Sequence, residues 1–292
     1  MAVWCYGSIN IDHFYDLAHL PARGETLAAR DYRMELGGKG ANQSVAAARA
    51  GAVVRHVGAI GVDGDTALAQ LVAAGVDCAA VQRLEGATGH AIILVEQGGE
   101  NSIVLHAGAN RALALEAALA AFEGVELDDI LLIQNETAHQ AEVAEAAMGL
   151  GMDVVYSAAP FDLEAVRAVL PFVNTLVLNA VEAAQLQAAM DVPFEDLPVS
   201  SVVITRGAEG ASWQARGMET IHVPALPVSA VDTTGAGDCF TGALAAALDA
   251  GQLPEEAMRF AAAAAALQVS RAGTASAMPA RAEIEALLGE SG

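Results

Sequence analysis

The sequence predicts an α/β fold in which helices cover both faces of a mostly parallel central sheet and a small β-sheet stands apart. Apolar runs rich in Val, Ile and Leu alternate with Ala/Leu-rich helical runs over most of the 292 residues. Near-continuous apolar strands are typical of parallel sheets that are buried on both faces. Two segments without helices of their own, residues 12–36 and 88–106, interrupt this alternation. We therefore expect a three-layer sandwich with a β-sheet lid.

The alternating runs define the expected elements of the core in chain order. We expect strands at residues 3–9, 53–60, 130–134, 153–157, 175–178 and 202–205. We expect helices at residues 41–50, 65–74, 113–122, 140–150, 163–170, 180–189, 238–250, 254–271 and 281–288. Strands separated by helices indicate crossover connections, which are typical of parallel sheets.

The two interrupting segments predict a second, smaller unit. Residues 88–96 and 102–106 have the pattern of a hairpin whose turn is the Gly-rich segment 97–101. Residues 29–36 alternate between polar and apolar side chains, as a half-exposed strand does. The predicted lid is therefore residues 12–36 and 88–106, and the predicted core is residues 1–11, 37–87 and 107–292.

Composition excludes several classes of partner. The chain has 14 Lys and Arg residues against 36 Asp and Glu residues, a net charge of −22 and a pI near 4.4. Such a surface repels nucleic acid and anionic membranes, so we expect neither as a partner. The three cysteines are odd in number and have no zinc spacing, which indicates a reducing compartment. Without a signal-like N-terminus or a membrane-length apolar run, the expected location is cytoplasmic.

The strongest chemical signal is residues 231–240, Val-Asp-Thr-Thr-Gly-Ala-Gly-Asp-Cys-Phe. A glycine turn that leads into a helix points backbone N–H groups and the helix dipole into one space, which suits a phosphoryl group. Asp238 at its edge could accept a proton from an attacking hydroxyl. A tight turn with Asp238 as a helix cap fits the same pattern. Cys239 is either a thiolate favoured by the helix N-terminus or a buried, inert thiol.

A second glycine cluster, Gly37-Gly38-Lys39-Gly40, lies between a strand-like run and a predicted helix. Lys39 and Asn42 offer donors for sugar hydroxyls or phosphate, although a surface lysine and a helix-start asparagine fit equally. The cluster is not a P-loop, because Gly40 stands where Ser or Thr is needed. The chain also lacks G-x-G-x-x-G, so a dinucleotide site is disfavoured.

Further polar side chains follow predicted strands, where α/β sheets bind ligands. Asn10 and Asp12 are two residues apart, so in extended chain they share a face and suit a vicinal diol. Glu136 follows the most apolar strand. Asn179 and Glu182 lie on one helix face and could hold metal-bound water near phosphates, or form an N-cap with a first-turn acid.

Taken in this order, the motifs resemble the ribokinase-type (PfkB-type) carbohydrate kinases over nearly the whole chain. The matching segments are GSINIDH (7–13), GGKGANQ (37–43), HAGAN (106–110), QNET (134–137), NAVE (179–182), TRG (205–207) and DTTGAGD (232–238). GGKGANQ and DTTGAGD are specific in combination, and the N-terminal motifs look most like the ribokinase branch. The resemblance implies a ribokinase-like sandwich with a β lid.

The resemblance also implies a role for each segment. The implied catalytic groups are the base Asp238 and the anion-hole amides of Gly235, Ala236 and Gly237. The implied sugar contacts are Asn10, Asp12, Gly38, Lys39, Asn42 and Glu136. The implied nucleotide contacts are Asn179, Thr205 and Gly207, with Glu182 organising Mg²⁺. The implied potassium loop contains Asp232 and Thr234, completed by backbone near Arg271 and Gly273.

The chain departs from the family pattern in three places. Alanines occupy residues 261–263, where a polar residue near the adenine is common. The segment 174–201 is short, so we expect one helix to be truncated. Residues 273–277, Gly-Thr-Ala-Ser-Ala, lack a clean match to the potassium-loop serine.

The implied function is ATP-dependent phosphorylation of a primary hydroxyl on a small sugar, with D-ribose as the leading candidate. The implied cofactors are ATP, Mg²⁺ and K⁺, and the lid offers a surface for a homodimer. Kinases of the same fold for a nucleoside, a ketohexose or a sugar acid remain alternatives, as does an inactive sugar-binding regulatory protein. A nucleoside would need apolar room, which Phe14, Tyr32 or Ile92 could supply. A sugar acid would need a cation beyond Lys39.

Overall fold

Nine strands form a mostly parallel sheet at the centre of the computed structural model, which describes residues 1–98 and 100–290. In sheet order they are β13 (Ile221–Val223), β12 (Ala211–Ala215), β11 (Ser201–Thr205), β10 (Thr175–Asn179), β9 (Asp153–Ser157), β8 (Ile130–Gln134), β1 (Val3–Tyr6), β4 (Val54–Ile60) and β5 (Val81–Arg83). Neighbours pair in parallel from β11 to β5, and only β12 and β13 pair antiparallel within this sheet. The predicted sheet type is confirmed.

Helices cover both faces of this sheet. They are α1 (Lys39–Arg49), α2 (Asp65–Ala73), α3 (Leu115–Ala120), α4 (Gln140–Gly149), α5 (Leu163–Val169), α6 (Ala180–Met190), α7 (Ala236–Asp249), α8 (Pro254–Val269) and α9 (Arg281–Glu290). Val3 and Cys5 of β1 are buried in one apolar cluster with α1, α7 and α8, whereas Trp4 and Tyr6 are buried in a second cluster with α4 and α5. Within the described ranges, no helix is long and apolar enough to cross a membrane.

A separate sheet of four strands contains the two interrupting segments. Its order is β3 (Asp31–Gly37), β2 (Asn10–Leu17), β6 (Gly89–Glu96) and β7 (Asn101–His106). The hairpin β6–β7 pairs as predicted, although Gly99 of its predicted turn lies outside the described residues. Strand β2 begins only four positions after β1 ends, so the junction of the two sheets lies at the carboxyl end of β1.

Three short strands and three helix starts differ from the sequence predictions. Strands β5, β12 and β13 were not predicted, because three to five residues carry little periodic signal. Helix α3 begins two residues later than predicted, at Leu115. Helices α1 and α7 each begin two residues earlier than predicted, because Gly38 and Gly235 adopt positive φ immediately before them. A 3-10 turn at Phe194–Asp196 connects α6 to β11, and the expected truncation of a helix in segment 174–201 stays a prediction.

The strand order reverses beside β1. The chain leaves β1 and returns to the sheet at β4 on one side, and it later adds β8 on the other side. Such a switch point leaves a crevice at the carboxyl ends of the two strands, where α/β proteins bind ligands. The crevice between β1 and β8 also faces the start of β2.

Candidate active site

Glu136 joins the ends of the two central strands to helix α1. It follows β8, and its Oε2 accepts hydrogen bonds from Ser8 Oγ at 2.5 Å and from the backbone N–H of Lys39 at 2.9 Å. The carboxylate therefore satisfies an N–H at the start of α1, where Gly38 provides no side-chain cap. The structure thus brings Glu136 and Lys39 together at the switch-point crevice.

Two glycines allow α1 to approach β1 this closely. Gly38 has φ +89°, and a Cβ on it would lie 2.9 Å from the carbonyl oxygen of Ser8. A Cβ on Gly40 would lie 2.5 Å from the backbone of Gly7. Larger residues at either position would push the first turn of α1 away from the crevice.

Asp238 is a buried carboxylate in the first turn of α7, with 6% of its surface exposed. Its Oδ1 accepts from Gln43 Nε2 at 3.1 Å and lies 3.8 Å from Lys39 Nζ, while its Oδ2 accepts from Asn42 Nδ2 at 3.4 Å. Gly235 occupies the cap position of α7 in the left-handed conformation. The alternative that Asp238 caps the helix is therefore wrong, and its side chain instead joins α7 to α1.

The buried side-chain amides of Gln43 and Gln134 connect Asp238 to the central sheet. Gln43 Oε1 accepts from Gln134 Nε2 at 2.8 Å, and the same nitrogen lies 3.6 Å from Cys5 Sγ. The sequence analysis assigned no role to Gln43 or Gln134, although both lie in the quoted motifs. The signal that could have found Gln43 is its i, i+4 spacing from Lys39, which places both on one face of α1.

Asn10 faces the crevice from the first position of β2. Its Oδ1 accepts from Asn110 Nδ2 at 2.8 Å, and Asn110 Oδ1 accepts the backbone N–H of Ile9 at 2.9 Å. A Cβ on Gly89 would lie 2.3 Å from Asn10 Oδ1, so only glycine leaves room for this pair. Asn110, which the sequence analysis did not single out, fixes Asn10 with its amide nitrogen left to donate to a ligand.

Asp12 and Glu35 lie opposite each other on β2 and β3. One oxygen of each, Asp12 Oδ1 and Glu35 Oε2, is buried without a hydrogen-bond partner. Burial, together with the charges of Glu136 and Glu35, raises the pKa of Asp12 to about 7. Orphaned buried acceptors are costly, so this pair favours a ligand that brings hydroxyl donors.

The strand register divides the three aromatic or apolar candidates between the two faces of the small sheet. Phe14 is two residues from Asp12 and shares its face, where the guanidinium carbon of Arg33 lies 4.2 Å from the ring centroid. Tyr32 and Ile92 pair with odd-numbered positions of β2, so they lie on the opposite face. The expectation that Tyr32 or Ile92 flanks the sugar is wrong.

Carboxylates surround the ammonium group of Lys39. Asp238 raises the pKa of Lys39 against the effect of burial, and Glu136 and Glu182 add to the increase. The pKa of Glu182 is raised, chiefly by burial and also by the charge of Asp238. The hydrogen bond from the N–H of Asn179 and the charge of Lys39 oppose this increase. Lys39 is therefore a stable positive charge that links the base candidate to Glu182.

Asn179 and Glu182 form a capping box at the start of α6. Asn179 Oδ1 accepts two backbone N–H groups at 2.9 Å, and Glu182 Oε2 accepts the N–H of Asn179 at 2.8 Å. The cap interpretation is confirmed, and Glu182 Oε1 takes no part in the box. Within residues 1–98 and 100–290, no cluster of three His, Cys, Asp or Glu side chains could hold a metal. Glu182 fits Mg²⁺ bound mainly through water and nucleotide phosphates.

An apolar cavity of about 560 Å³ lies between the end of β11 and helix α8. Its lining includes Thr205, Gly207, Leu226, Gly237, Ala262 and Val269. The two predicted nucleotide contacts, Thr205 and Gly207, lie at one side of this cavity. Gly237 belongs to the first turn of α7, so the cavity reaches the helical turn that also carries Asp238. Size and apolar lining suit a flat aromatic base such as adenine.

The predicted anion-hole amides lie at the start of α7. Gly235 has φ +80° and precedes the helix, and Ala236 N donates to the carbonyl of Thr233 at 3.3 Å. The N–H groups of a first helical turn have no partners within the helix. A Cβ on Gly237 would meet nothing within 4 Å, so open space lies beside this amide.

The predicted potassium-loop residues are hydrogen-bonded within the chain. Asp232 Oδ1 accepts the N–H of Thr234 at 2.9 Å, and Oδ2 accepts the N–H of Gly273 at 3.2 Å. The carbonyl oxygens of Thr234 and Gly273 both accept from Gln268 Nε2, at 2.8 and 3.1 Å. Because one amino group, Gln268 Nε2, already bridges the two carbonyl oxygens that a cation would bridge, this arrangement does not fit a bound K⁺.

Cys239 is fully buried behind the base candidate. Burial raises the pKa of its thiol, and the charge of Asp238 raises it further. The thiolate alternative is therefore wrong, and Cys239 is a buried, inert thiol.

Comparisons with known proteins identify the family of this chain. Residues 2–281 match the model of the pfkB family carbohydrate kinases. The chain is 36% identical to ribokinase of Haemophilus influenzae over 291 residues, 95% of each chain, and 36% identical to ribokinase of Bacillus subtilis over 297 residues, 97% of each. The structure of Arabidopsis thaliana ribokinase complexed with ribose and ATP superposes with a TM-score of 0.88 at 30% identity, covering 99% of both chains. This protein belongs to the pfkB family of carbohydrate kinases.

Proposed function

We propose that this chain transfers the γ-phosphoryl group of ATP to the primary hydroxyl of D-ribose, giving ribose 5-phosphate and ADP. The observation that carries the proposal is the position of Asp238. Hydrogen-bond donors from α1 hold this buried carboxylate in place. The polar crevice that contains Asp12 and Glu136 lies near the start of the same helix. The apolar cavity reaches the helical turn that carries Asp238. The similarity to ribokinases, one of them solved with ribose and ATP, supports the same substrates.

In this proposal Asp238 acts as the general base. It accepts the proton of the ribose hydroxyl while the hydroxyl oxygen attacks the γ-phosphorus, and the bond from phosphorus to the β–γ bridging oxygen breaks. The amides of Gly235, Ala236 and Gly237 would stabilise the charge that develops on the transferring group. Lys39, whose pKa is raised by Asp238, supplies a fixed positive charge beside the same carboxylate.

Ribose would bind in the crevice between β1 and β8. Asp12 Oδ1 and Asn42 Oδ1 are buried acceptors without partners, and ribose hydroxyls would donate to them. The Asn10 amide nitrogen would donate to the sugar, while Glu136 holds the wall formed by Ser8 and the start of α1. Gly38 lets the backbone approach the sugar closely.

ATP would place its adenine in the apolar cavity and its phosphates toward Asn179 and the start of α7. Thr205 and Gly207 would lie along the nucleotide. Mg²⁺, held through water by Glu182, would neutralise charge on the β- and γ-phosphates. The potassium that the family resemblance implies at Asp232 and Thr234 has no role in this proposal, because Gln268 Nε2 donates to the carbonyl oxygens of Thr234 and Gly273.

The four-stranded sheet would act as a lid. Residues 12–36 and 88–106 form most of it, and residues 1–11, 37–87 and 107–292 would form the core with the catalytic site. Closing the sheet over the crevice would exclude water from the transferring phosphoryl group. Exposed apolar side chains on this sheet, including Met34 and Val104, also suit pairing of two lids in a homodimer.

An ADP-release assay tests the proposal across substrate classes. D-ribose, 2-deoxyribose, fructose, gluconate and inosine would be compared at equal concentration with ATP and Mg²⁺. The proposal predicts the highest kcat/KM for D-ribose. A higher value for a nucleoside, ketohexose or sugar acid would favour that alternative, and no turnover with any acceptor would favour the sugar-binding regulator.

A further inference from the structure

The side-chain amide of Gln268 joins two loops beside the predicted base. Gln268 is the penultimate residue of α8 and exposes none of its surface. Its Nε2 donates to the carbonyl of Thr234 at 2.8 Å and to the carbonyl of Gly273 at 3.1 Å. One carboxamide therefore connects the segment that leads into α7 with the segment that follows α8.

The two acceptors determine the orientation of this amide. Because both neighbours are carbonyl oxygens, only the NH₂ group can face them with favourable hydrogen bonds. Gln268 Oε1 points away and is buried without a partner. Were the amide turned over, Oε1 and both carbonyl oxygens would converge, and a cation would be needed between them. The two orientations make opposite predictions about potassium.

Asp232 closes the same junction with its own hydrogen bonds. Its two carboxylate oxygens accept the N–H groups of Thr234 and Gly273. The N–H groups of Val231 and Asp232 donate to the carbonyl of Val269 at 2.7 and 3.1 Å. The loop that resembles a potassium site is thus held together by N–H donors of the chain.

The charge of Asp232 also has a counterpart in the chain. Burial raises the pKa of Asp232, but hydrogen bonds from Thr234 and Gly273 and the charge of Arg33 together hold it below its ordinary value. Arg33 lies on β3 of the small sheet, so this sheet supplies a positive charge to the loop. Bridging and charge balance, the two things that a monovalent cation would provide, both come from side chains.

We propose that the Gln268 carboxamide takes the place of a monovalent cation in this loop, so that the protein neither binds nor needs K⁺ there. The consequence for catalysis rests on the proposed kinase function, whereas the consequence for ion binding does not. The departure of residues 273–277 from the family's potassium loop agrees with this proposal.

The wild-type protein gives the first test. Its melting temperature and its rate of ADP release with ribose, ATP and Mg²⁺ would be measured in KCl and in choline chloride at equal ionic strength. We expect the same melting temperature and the same kcat in both salts. A higher melting temperature in KCl, or a rate several-fold higher, would overturn the proposal, because an ion that binds the folded state stabilises it.

Two variants distinguish the effect of the Gln268 hydrogen-bond donor from the effect of the side chain's volume. Gln268→Ala removes the donor and opens space for an ion, so kcat in choline should fall about tenfold and KCl should restore much of it. The melting temperature of this variant should also rise with KCl. Gln268→Met removes the donor but fills the space, so KCl should restore neither quantity. Gln187→Ala, at an exposed glutamine of α6, is the matched control.

Each remaining outcome is informative. A potassium-dependent wild type whose dependence disappears in Gln268→Ala would identify Gln268 Oε1 as a cation ligand and overturn the proposal. A Gln268→Ala variant equal to wild type in both salts would also overturn it. If no sugar is phosphorylated, the kinase proposal fails while the melting temperatures still decide ion binding. If Gln268→Ala does not fold, the wild-type pair of salts decides.

Discussion

Gln43 Nε2 donates to Asp238 Oδ1 over 3.1 Å, and the two side chains connect helices α1 and α7 in the interior of the protein. Gln134 holds the other end of the Gln43 amide from strand β8. Hydrogen bonds to a carboxylate are stronger than those between neutral groups, so this chain of hydrogen bonds fixes the rotamer of Asp238. A base held in one orientation suits an attacking hydroxyl that must lie in line with a phosphoryl group.

Gln43→Met should slow catalysis without weakening ribose binding. The substitution keeps the length of the side chain but removes the hydrogen bonds to Asp238 and Gln134. We expect kcat to fall about tenfold or more with little change in ribose KM, since misplacement of a reacting group is costly.

The split between kcat and ribose KM separates this positioning role from a general loss of stability. Gln187→Met, at an exposed glutamine of α6, should change neither kcat nor the ribose KM. If Gln43→Met lowered only the melting temperature, and kept both kcat and the ribose KM, Gln43 would be a structural residue alone.

Asp12 should make the stability of the sugar-free protein depend on pH. Burial raises the pKa of Asp12 to about 7 from its ordinary value of 3.8, so the folded protein keeps a proton that the unfolded chain has lost. The stability that this proton contributes is fully present below the pKa of Asp12 in the unfolded chain, and it is lost as pH rises through about 7. In urea unfolding, wild type should lose stability relative to Asp12→Asn between about pH 4 and pH 8. A pH-independent difference between the two proteins would contradict the raised pKa.

Ribose affinity should change with pH in the opposite direction. Sugar hydroxyls that donate to Asp12 favour its charged form, so ribose should bind more tightly as pH rises through about 7. Calorimetric titration should show this slope in wild type and a flat, weaker affinity in Asp12→Asn. Equal slopes in the two proteins would remove Asp12 from the sugar site.

Ala262→Phe should fill the apolar cavity and weaken ATP binding. Ala262 lines the cavity from α8, and a phenyl ring there would occupy space that the adenine needs. We expect the KM for ATP to rise about tenfold or more, with the dissociation constant of ribose unchanged. Ala184→Phe, on the exposed surface of α6, should leave both constants unchanged. An unchanged ATP KM in Ala262→Phe would place the nucleotide elsewhere.

Features that depend on local backbone chemistry could be predicted from the sequence. Gly38 and Gly235 adopt positive φ immediately before helices, which is why short glycine motifs marked both turns. Apolar runs such as β8 and β9 were predicted with their observed bounds, because a buried parallel strand leaves a continuous apolar signal.

Features that depend on contacts between distant parts of the chain could not be predicted from the sequence. Gln43 and Asp238 are 195 residues apart, and Asn10 and Asn110 are 100 apart, so no spacing rule connects them. The face of Tyr32 depends on the register of β2 and β3, and a shift of one residue would reverse it. Gln268 lies in an Ala-rich helix, and only the fold shows that its amide meets Thr234 and Gly273.

The most direct test of the account is Asp238→Asn, measured for both turnover and ribose binding. Asparagine keeps the size of the side chain but cannot accept the proton of the attacking hydroxyl. Loss of a general base typically costs between about a hundredfold and ten-thousandfold in rate. We predict a loss of kcat for ADP release in this range, with the calorimetric dissociation constant of ribose close to that of wild type. A variant with near-normal kcat would contradict the assignment of Asp238 as the base.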